Sequence, residues 1–276
     1  MAPPGTLYLV STPIGNLADF SARAVETLSN VALVLAEDTR HSRPLLERYG
    51  IRTPLESYHE HNEARATPRL VERMLGGESM ALISDAGTPL LSDPGDRLVR
   101  AAIEAGITVV PVPGASALLA ALVASGMSTH PFTFFGFPPR KGKERGELMG
   151  EVVALRHTAV LYEAPNRVAA TLGELTERGA GERRVAVARE LTKQFEEVRR
   201  GTVEELARYY EDSPPRGEVV VVLAGAAPMA PDEDLARDRA RAMRAAGATA
   251  RDVARTLIEE HGVSRNTAYR LAHEPE

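Results

Sequence analysis

Several short polar segments carry residue types suited to holding a small ligand, and each follows an apolar run. The first is Ser11-Thr12-Pro13-Ile14-Gly15-Asn16. Pro13 stiffens the turn, Gly15 lets the backbone approach a ligand closely, and Asn16 offers both a donor and an acceptor. The second, Glu37-Asp38-Thr39-Arg40-His41, lies about 20 residues beyond Gly15, where a dinucleotide-binding fold puts the carboxylate that holds ribose hydroxyls. Asp38 fits equally well as the N-cap of a helix beginning near Arg40. The third, residues 84–95, holds the carboxylates Asp85 and Asp93 with Gly87 and Gly95, long and polar for a simple connection. Its carboxylates suit an amino group or a cationic ligand on which glycine backbone packs; paired Asp-initiated turns would explain the same residues. The fourth, residues 111–117, adds Gly114 and Ser116. No segment has the form G-x-G-x-x-G or G-x-x-x-x-G-K-[ST], so no pyrophosphate or nucleoside triphosphate cradle is implied.

A different chemistry stands at residues 135–145, where Phe135 and Phe137 precede four positive charges in six residues, Arg140, Lys141, Lys143 and Arg145. Cations neutralise phosphates and aromatic rings stack on unpaired bases, so this is the best nucleic-acid patch in the chain. A solvated loop leading into a helix would use similar residues. Two further segments, Leu161 to Arg167 and Ala188 to Lys193, place polar groups where a second domain could close over a ligand. His59, His61 and His157 have no spacing that suggests a catalytic triad.

The elements that must position these segments are short, nearly continuous apolar runs at residues 6–10, 31–36, 80–84 and 108–112. They are separated by helical periodicity such as residues 22–28 and 97–105. Strands apolar on both faces and alternating with helices predict an α/β fold with a parallel sheet covered on both sides. Ligands in such sheets bind at the carboxyl ends of the strands, so four strand ends are expected to converge on one ligand. The pattern pauses at residues 125–139, rich in Gly and Pro, and resumes at 158–162, 185–188 and 219–223. A boundary near residues 113–125 divides the α/β part into domains 1–118 and 119–227. After a linker-like Ala/Pro segment at 226–231, residues 232–276 read as three helices, 232–246, 249–261 and 264–273, broken at Gly247 and Gly262. The last two resemble a helix-turn-helix with Ser264 as N-cap, although Ile258 stands where such a motif wants a small residue. A plain helical packing module fits as well.

Composition narrows the classes. With 276 residues, 43% hydrophobic and 26% charged, the chain has a globular balance. The absence of cysteine excludes disulfides, thiolate chemistry and Cys-ligated metal, and no H-E-x-x-H pattern occurs, so no metal is expected. A net charge of −5 argues against coating nucleic acid with the whole surface; any such contact must come from a local patch. Lysine occurs only at Lys141, Lys143 and Lys193. The longest purely apolar or Gly stretch is the nine residues 219–227, too short to span a bilayer, and the start MAPPGTLYLV lacks a basic leader region. A soluble, cytoplasmic protein without membrane association is expected.

In order, the strings STPIGNLADFSARA, LAEDTRHS, ISDAGTPLLSDPG, VPGASA, FFGFPPRKGKER, LYEAPNRV and ARELTK resemble the tetrapyrrole methylase superfamily. Within it they resemble the ribosomal small-subunit methyltransferases that modify the ribose of a decoding-centre cytidine in 16S rRNA. The resemblance implies a homodimer of two-domain α/β/α chains binding S-adenosylmethionine in the cleft between domains, with no metal. By matching position the cofactor meets Pro13, Ile14, Gly15, Asn16, Asp85, Gly87, Thr88, Ser116, Leu161, Tyr162 and Leu191. It also implies 16S rRNA or the small ribosomal subunit as partner, with Phe137, Arg140, Lys141, Lys143 and Arg145 as the expected RNA contacts. Placement near the cleft makes Asp38, Glu163 and Lys193 candidates to accept or steer the 2′-hydroxyl proton, Lys193 only if its pKa is depressed. Two other functions fit the chain: a tetrapyrrole-type small-molecule methyltransferase, and a ligand-sensing nucleic-acid-binding regulator.

Overall fold

The computed structural model describes residues 3–227 and 233–274. The first half runs β1 (Thr6–Val10), α1 (Ala22–Asn30), β2 (Leu33–Ala36), α2 (Thr39–Arg48), β3 (Leu55–Ser57), α3 (Glu63–Leu75), β4 (Met80–Ile83), α4 (Asp96–Glu104) and β5 (Thr108–Val112). Its strands are all parallel, in the order β3-β2-β4-β1-β5. β2 and β4 are buried at every position because helices cover both faces of the sheet. Alternation along the strands sends Leu33, Leu35, Met80 and Leu82 toward Leu70, Met74 and Leu98 of α3 and α4. Val34, Ala36, Ala81 and Ile83 point the other way, toward Ala24, Leu28 and Leu46 of α1 and α2.

The second half runs α5 (Ala117–Ser125), β6 (Phe132–Phe134), α6 (Lys143–Ala154), β7 (Thr158–Glu163), α7 (Val168–Leu175), β8 (Arg184–Arg189), β9 (Glu197–Thr202), α8 (Val203–Asp212) and β10 (Val219–Leu223). Here the expected parallel sheet gives way to a mixed one, ordered β6-β7-β10-β8-β9, in which only β6 and β7 are parallel. The residues 190–196 between β8 and β9 are too few for a crossover, so the strands pair as a hairpin. β9 has the sequence EVRRGT, with no apolar run to betray it, and lies at the sheet edge where charged side chains are tolerated. β3 and β6, three residues each, are too short for a periodicity argument.

Helix α5 packs Leu118, Ala121 and Leu122 against Val160, Ala186, Ala188, Val220 and Val222 of the second sheet. Ile14, from the first half, joins the same cluster, so the two halves share a core. Together they form one compact unit ending at Gly225; a second begins at Ala226. That second unit consists of α9 (Glu233–Ala245), α10 (Ala250–His261) and α11 (Arg265–His273). Its core is Ala236, Ala240, Val253, Ala254, Leu257, Val263, Ala268 and Leu271. Gly247 and Gly262 occupy left-handed conformations at the breaks, and Thr249 and Ser264 cap the helices that follow. Ile258 is 39% exposed; Ala254 and Leu257 fill the core side of α10, so its bulk does not obstruct the turn. Residues 228–232, most of the expected linker and the first position of the expected helix, lie outside the described residues. Among the described residues no helix is long and apolar enough to cross a membrane.

Candidate active site

β4, β1 and β5 are neighbours, so the loops leaving their carboxyl ends meet. The first two are fastened to each other: Thr12 N–H donates to the Gly87 carbonyl (2.8 Å) and Gly87 N–H to the Thr12 carbonyl (3.1 Å). The Thr12 hydroxyl donates to Ser84 O (3.1 Å), and the Thr88 hydroxyl reaches Ala115 O (3.2 Å) beyond β5. Gly87 has φ 82°, and a Cβ there would stand 3.1 Å from Ile14 Cγ2. Both the conformation and the space therefore call for glycine. Ser116 caps α5 by accepting from Leu119 N–H.

The second half closes over these loops with the end of β7, the segment after β6 and the start of β10. The result is a cavity of about 290 Å³, near the lower end of the range for small-ligand sites. Ile14, Asp85, Gly87, Thr88, Ser116 and Tyr162 line it, all of them expected from the sequence. The Tyr162 ring stands edge-on to Phe134, with centroids 4.9 Å apart, and tilted against Phe137 at 5.3 Å. Phe137, 58% exposed, belongs to the cavity wall as well as to the basic loop, and so stands at the mouth. Pro13 and Gly15 line an adjoining depression of about 440 Å³ that shares Asp85.

Three expected cofactor residues are elsewhere. Asn16 is exposed, and its side-chain oxygen accepts from Ala18 N–H (3.0 Å) to cap a short turn. Leu161 lies one position from Tyr162 on β7, so its side chain points away from the cleft into the core with Met149 and Leu172. Leu191 is buried in the core shared with Ile14. Conversely, Leu91, Ser92, Asp93, Gly217 and Glu218 line the cavity without having been singled out for the cofactor. Gly217 and Glu218 escape a search of carboxyl ends because β10 is antiparallel to β7 and β8, which brings its amino end to the cleft.

Electrostatics redistribute the proposed proton acceptors. Asp38 caps α2 through Arg40 N–H (2.8 Å) and pairs with the Arg40 guanidinium (2.9 Å); these hydrogen bonds hold its carboxyl at about 2. So weak a base is poorly matched to a neutral-pH reaction. The Glu163 side chain is fully buried and accepts from Thr171 Oγ1 (2.6 Å) and Ala164 N–H (2.9 Å), with Arg167 Nε at 3.2 Å. Its oxygens are committed to a structural network. Lys193 Nζ donates to Glu190 (3.0 Å) and Glu218 (3.1 Å). Burial alone would lower its pKa, but the bonds to the two carboxylates prevail and raise it, opposite to what a basic amine requires. Its stem instead covers Gly15, where a Cβ would come within 2.4 Å of Lys193 Cγ. Among the described residues neither Glu37 nor Asp93 has an ion-pair partner, and Asp85 accepts only from Asp38 N–H (3.2 Å). Burial pushes Asp93 up to about 7, with Glu37 and Asp85 adding to it; burial and the Asp85 charge also raise Glu37, against a smaller opposing effect of His59.

The basic loop divides in two. Arg140, Lys141 and Lys143 are exposed, and Lys143 makes only a solvent-washed pair with Glu147 (3.2 Å). Arg145 turns inward to Glu174 (2.7 Å), Pro139 O (3.1 Å) and Thr171 Oγ1 (3.1 Å), its side chain 12% exposed. Contrary to expectation it is a strut beneath the loop, committed to protein groups. Arg167 does the same at Pro138 O (2.9 Å) and Pro139 O (3.1 Å). Among the described residues no group of three or more metal-ligating side chains comes together.

Residues 6–207 match the family described as Tetrapyrrole (Corrin/Porphyrin) Methylases. The chain belongs to the tetrapyrrole methylase family. This family member is 46% identical over 275 residues to the Ribosomal RNA small subunit methyltransferase I of Synechocystis sp., covering 99% of each chain. It is 49% identical over 265 residues to the protein of the same name from Mesorhizobium japonicum, covering 96% of this chain and 90% of that one. The helical unit lies beyond the family match yet within the longer of these alignments. Among solved structures, this methylase shares its fold with a uroporphyrin-III C-methyltransferase from Thermus thermophilus complexed with S-adenosyl homocysteine. The TM-score is 0.56 at 20% identity, over 80% of this chain and 97% of that one.

Proposed function

We propose that the chain transfers a methyl group from S-adenosylmethionine to the ribose 2′-oxygen of a cytidine in the decoding centre of 16S rRNA. The observation behind this is a cavity lined by Ile14, Asp85, Gly87, Thr88 and Ser116 on one side and Tyr162 on the other, with Phe137 in its wall and the exposed cations of the basic loop following Phe137 in the chain. Near-full-length similarity to proteins named as small-subunit rRNA methyltransferases supports the RNA substrate. The donor's sulfonium supplies an already activated methyl group. What remains for the protein is to hold the 2′-oxygen in line with it and to take the hydroxyl proton. Ile14, Gly87 and Thr88 close one wall on the donor and Tyr162 the other. The carboxylate of Asp85 favours a ligand that brings positive charge. Phe137 offers a face for an unpaired base, while Arg140, Lys141 and Lys143 take phosphates. Such an enzyme works in the cytoplasm, where ribosomes are assembled.

The test is transfer from labelled S-adenosylmethionine to small subunits lacking the modification, alongside naked 16S rRNA and duplex DNA. Label recovered as 2′-O-methylcytidine is the expected product. Cofactor binding without transfer to any RNA would favour the small-molecule methyltransferase, and salt-sensitive duplex binding without transfer the regulator.

We also propose a homodimer, resting on α5. Its sequence ALLAALVAS is apolar around the whole helix, a property of helices covered on all sides. One face is buried on the second sheet, yet Leu119 is 52% and Val123 72% exposed one turn apart. A second copy of the chain is the cover that suits them. Val123→Lys is expected to convert the dimer to monomer in light scattering at micromolar protein, with the melting temperature of the monomer within a few degrees of the wild type. An unchanged mass would remove α5 from the interface.

A further inference from the structure

We infer that Asp93 is the general base that accepts the ribose 2′-hydroxyl proton, an inference that rests on the methyltransferase reading above. Three features of its surroundings converge. The first is position. Asp93 and Ser92 line the 290 Å³ cavity and also a wider groove of about 760 Å³ flanked by α3 and α4. Asp93 therefore stands where the enclosed space for the donor meets open surface from which a ribose can enter.

The second is how the residue is held. Leu90 and Ser92 both adopt left-handed backbone conformations, φ 75° and 72°, costly for residues that carry a Cβ. The loop is gripped from both halves of the protein. A Cβ at Gly95 would lie 2.5 Å from Leu82 Cδ2 and 2.9 Å from Leu90 Cδ2, and one at Gly136 would lie 3.0 Å from Ser92 Oγ. Strain of this kind, held by packing on both sides, fixes the carboxyl at the junction of the two spaces.

The third is chemical availability. Asp38, Glu163 and Lys193 are all tied to ion-pair partners, whereas no cation lies within ion-pairing distance of Asp93 among the described residues. The charged and titratable groups lining the two spaces around it are Glu37 beyond β2, Asp85 beyond β4, Glu60 just before α3 and Glu63 at its start, Asp96, Arg97, Arg100 and Glu104 on α4, with Arg100 paired to Asp96 at 2.9 Å, and Tyr162, Glu163 and Glu218 across the cavity. Arg97 is turned to Glu63 at 3.3 Å. Burial, with Glu37 and Asp85 adding to it, raises the Asp93 carboxyl to about 7, where a base is strong enough to take a proton and still ionised at working pH. Ser84 acts in the opposite sense, but its one hydroxyl hydrogen is directed at Gly87 O, 3.1 Å away.

In the step itself the 2′-oxygen forms a bond to the methyl carbon as the sulfur–methyl bond breaks. The electron pair of that bond stays on sulfur, leaving a neutral thioether. The proton of the 2′-hydroxyl passes to an Asp93 carboxylate oxygen and leaves to solvent through the groove.

The test compares wild type, Asp93→Asn, Asp93→Glu and Glu37→Gln in single-turnover methyl transfer to small subunits between pH 5.5 and 9, with cofactor affinity from calorimetry. Wild-type rate should rise with pH through a midpoint near 7, because the carboxylate is the active form. Asp93→Asn should lose 100-fold or more of the rate and the midpoint with it, keep cofactor affinity within threefold, and be partly rescued by glutamate. Glu37→Gln should move the midpoint to lower pH without abolishing it, since one neighbouring negative charge is gone. A rate for Asp93→Asn within threefold of wild type, a midpoint that survives that change, or a rate loss matched by lost cofactor affinity would each overturn the assignment. Wild type that transfers to no RNA would instead defeat the reading on which it stands, before any variant is compared.

Discussion

Changing Arg140, Lys141 and Lys143 together to alanine is expected to weaken RNA binding about 100-fold at low salt, at roughly 1 kcal/mol for each lost phosphate contact. The slope of log affinity against log salt should become shallower by about 2, since three cations each release about 0.7 of a counterion from single-stranded RNA. Cofactor affinity should not change, because none of the three lines the cavity. Nor should stability: all three side chains are exposed, and the Lys143–Glu147 pair is too solvent-washed to contribute much. Filter binding across a salt series measures the slope. Arg145→Ala is the informative contrast. It should leave the slope alone and lower the melting temperature, because it removes the contacts that tie the root of the loop to α7, leaving Glu174 only Arg178 and Pro139 O only Arg167. If the triple variant kept the wild-type slope, the loop would not be on the RNA.

For Gly87→Val the expected result is loss of cofactor binding by about 100-fold, about 2.7 kcal/mol, with transfer abolished at donor concentrations that saturate the wild type. Part of the penalty is conformational: at φ 82° a β-branched residue is strained by about 1–2 kcal/mol. The rest is space. The new Cβ would press on Ile14 Cγ2 at 3.1 Å, and its methyl groups extend into the cavity that both residues line. The turn cannot relax cheaply, since the N–H and carbonyl of Gly87 are both bonded to Thr12. Gly87→Ala should fall between. Calorimetric titration with S-adenosylmethionine, beside a thermal melt showing that the variant is folded, measures the effect. Wild-type affinity in the valine variant would place the ligand elsewhere.

Much of the molecule is legible in its residues because the signals are local. Four-residue apolar runs such as LVLA and MALI are short enough, and flanked closely enough by polar turn residues, to read as strands buried on both faces. Ser21, Asp38, Ser116, Thr249 and Ser264 mark helix starts, each accepting from a backbone N–H of the first turn. Loops after parallel strands are where ligands sit, which marks the segments 11–16, 84–95 and 111–117; the resemblance adds the individual residues, of which Ile14, Asp85, Gly87, Thr88 and Ser116 line the cavity.

Where reading the chain fell short, the deciding quantity was non-local. Whether Asp38, Glu163 or Lys193 can take a proton depends on partners that no spacing rule gives in full: Arg40 close by, Arg167 and Thr171 four and eight residues onward, Glu218 just before β10. Arg145 looks identical to Lys143 in the sequence, yet their fates differ because only Arg145 faces α7. The strand order, the antiparallel β10 that delivers Gly217 and Glu218, and the raised pKa of Asp93 all arise from pairing and burial between distant segments. Local residue patterns fix the kind of elements, their ligand-facing loops and the family. The tertiary structure decided which of those loops' side chains face the cavity and which are spent on holding it together, because burial and charge pairing are properties of neighbours in space.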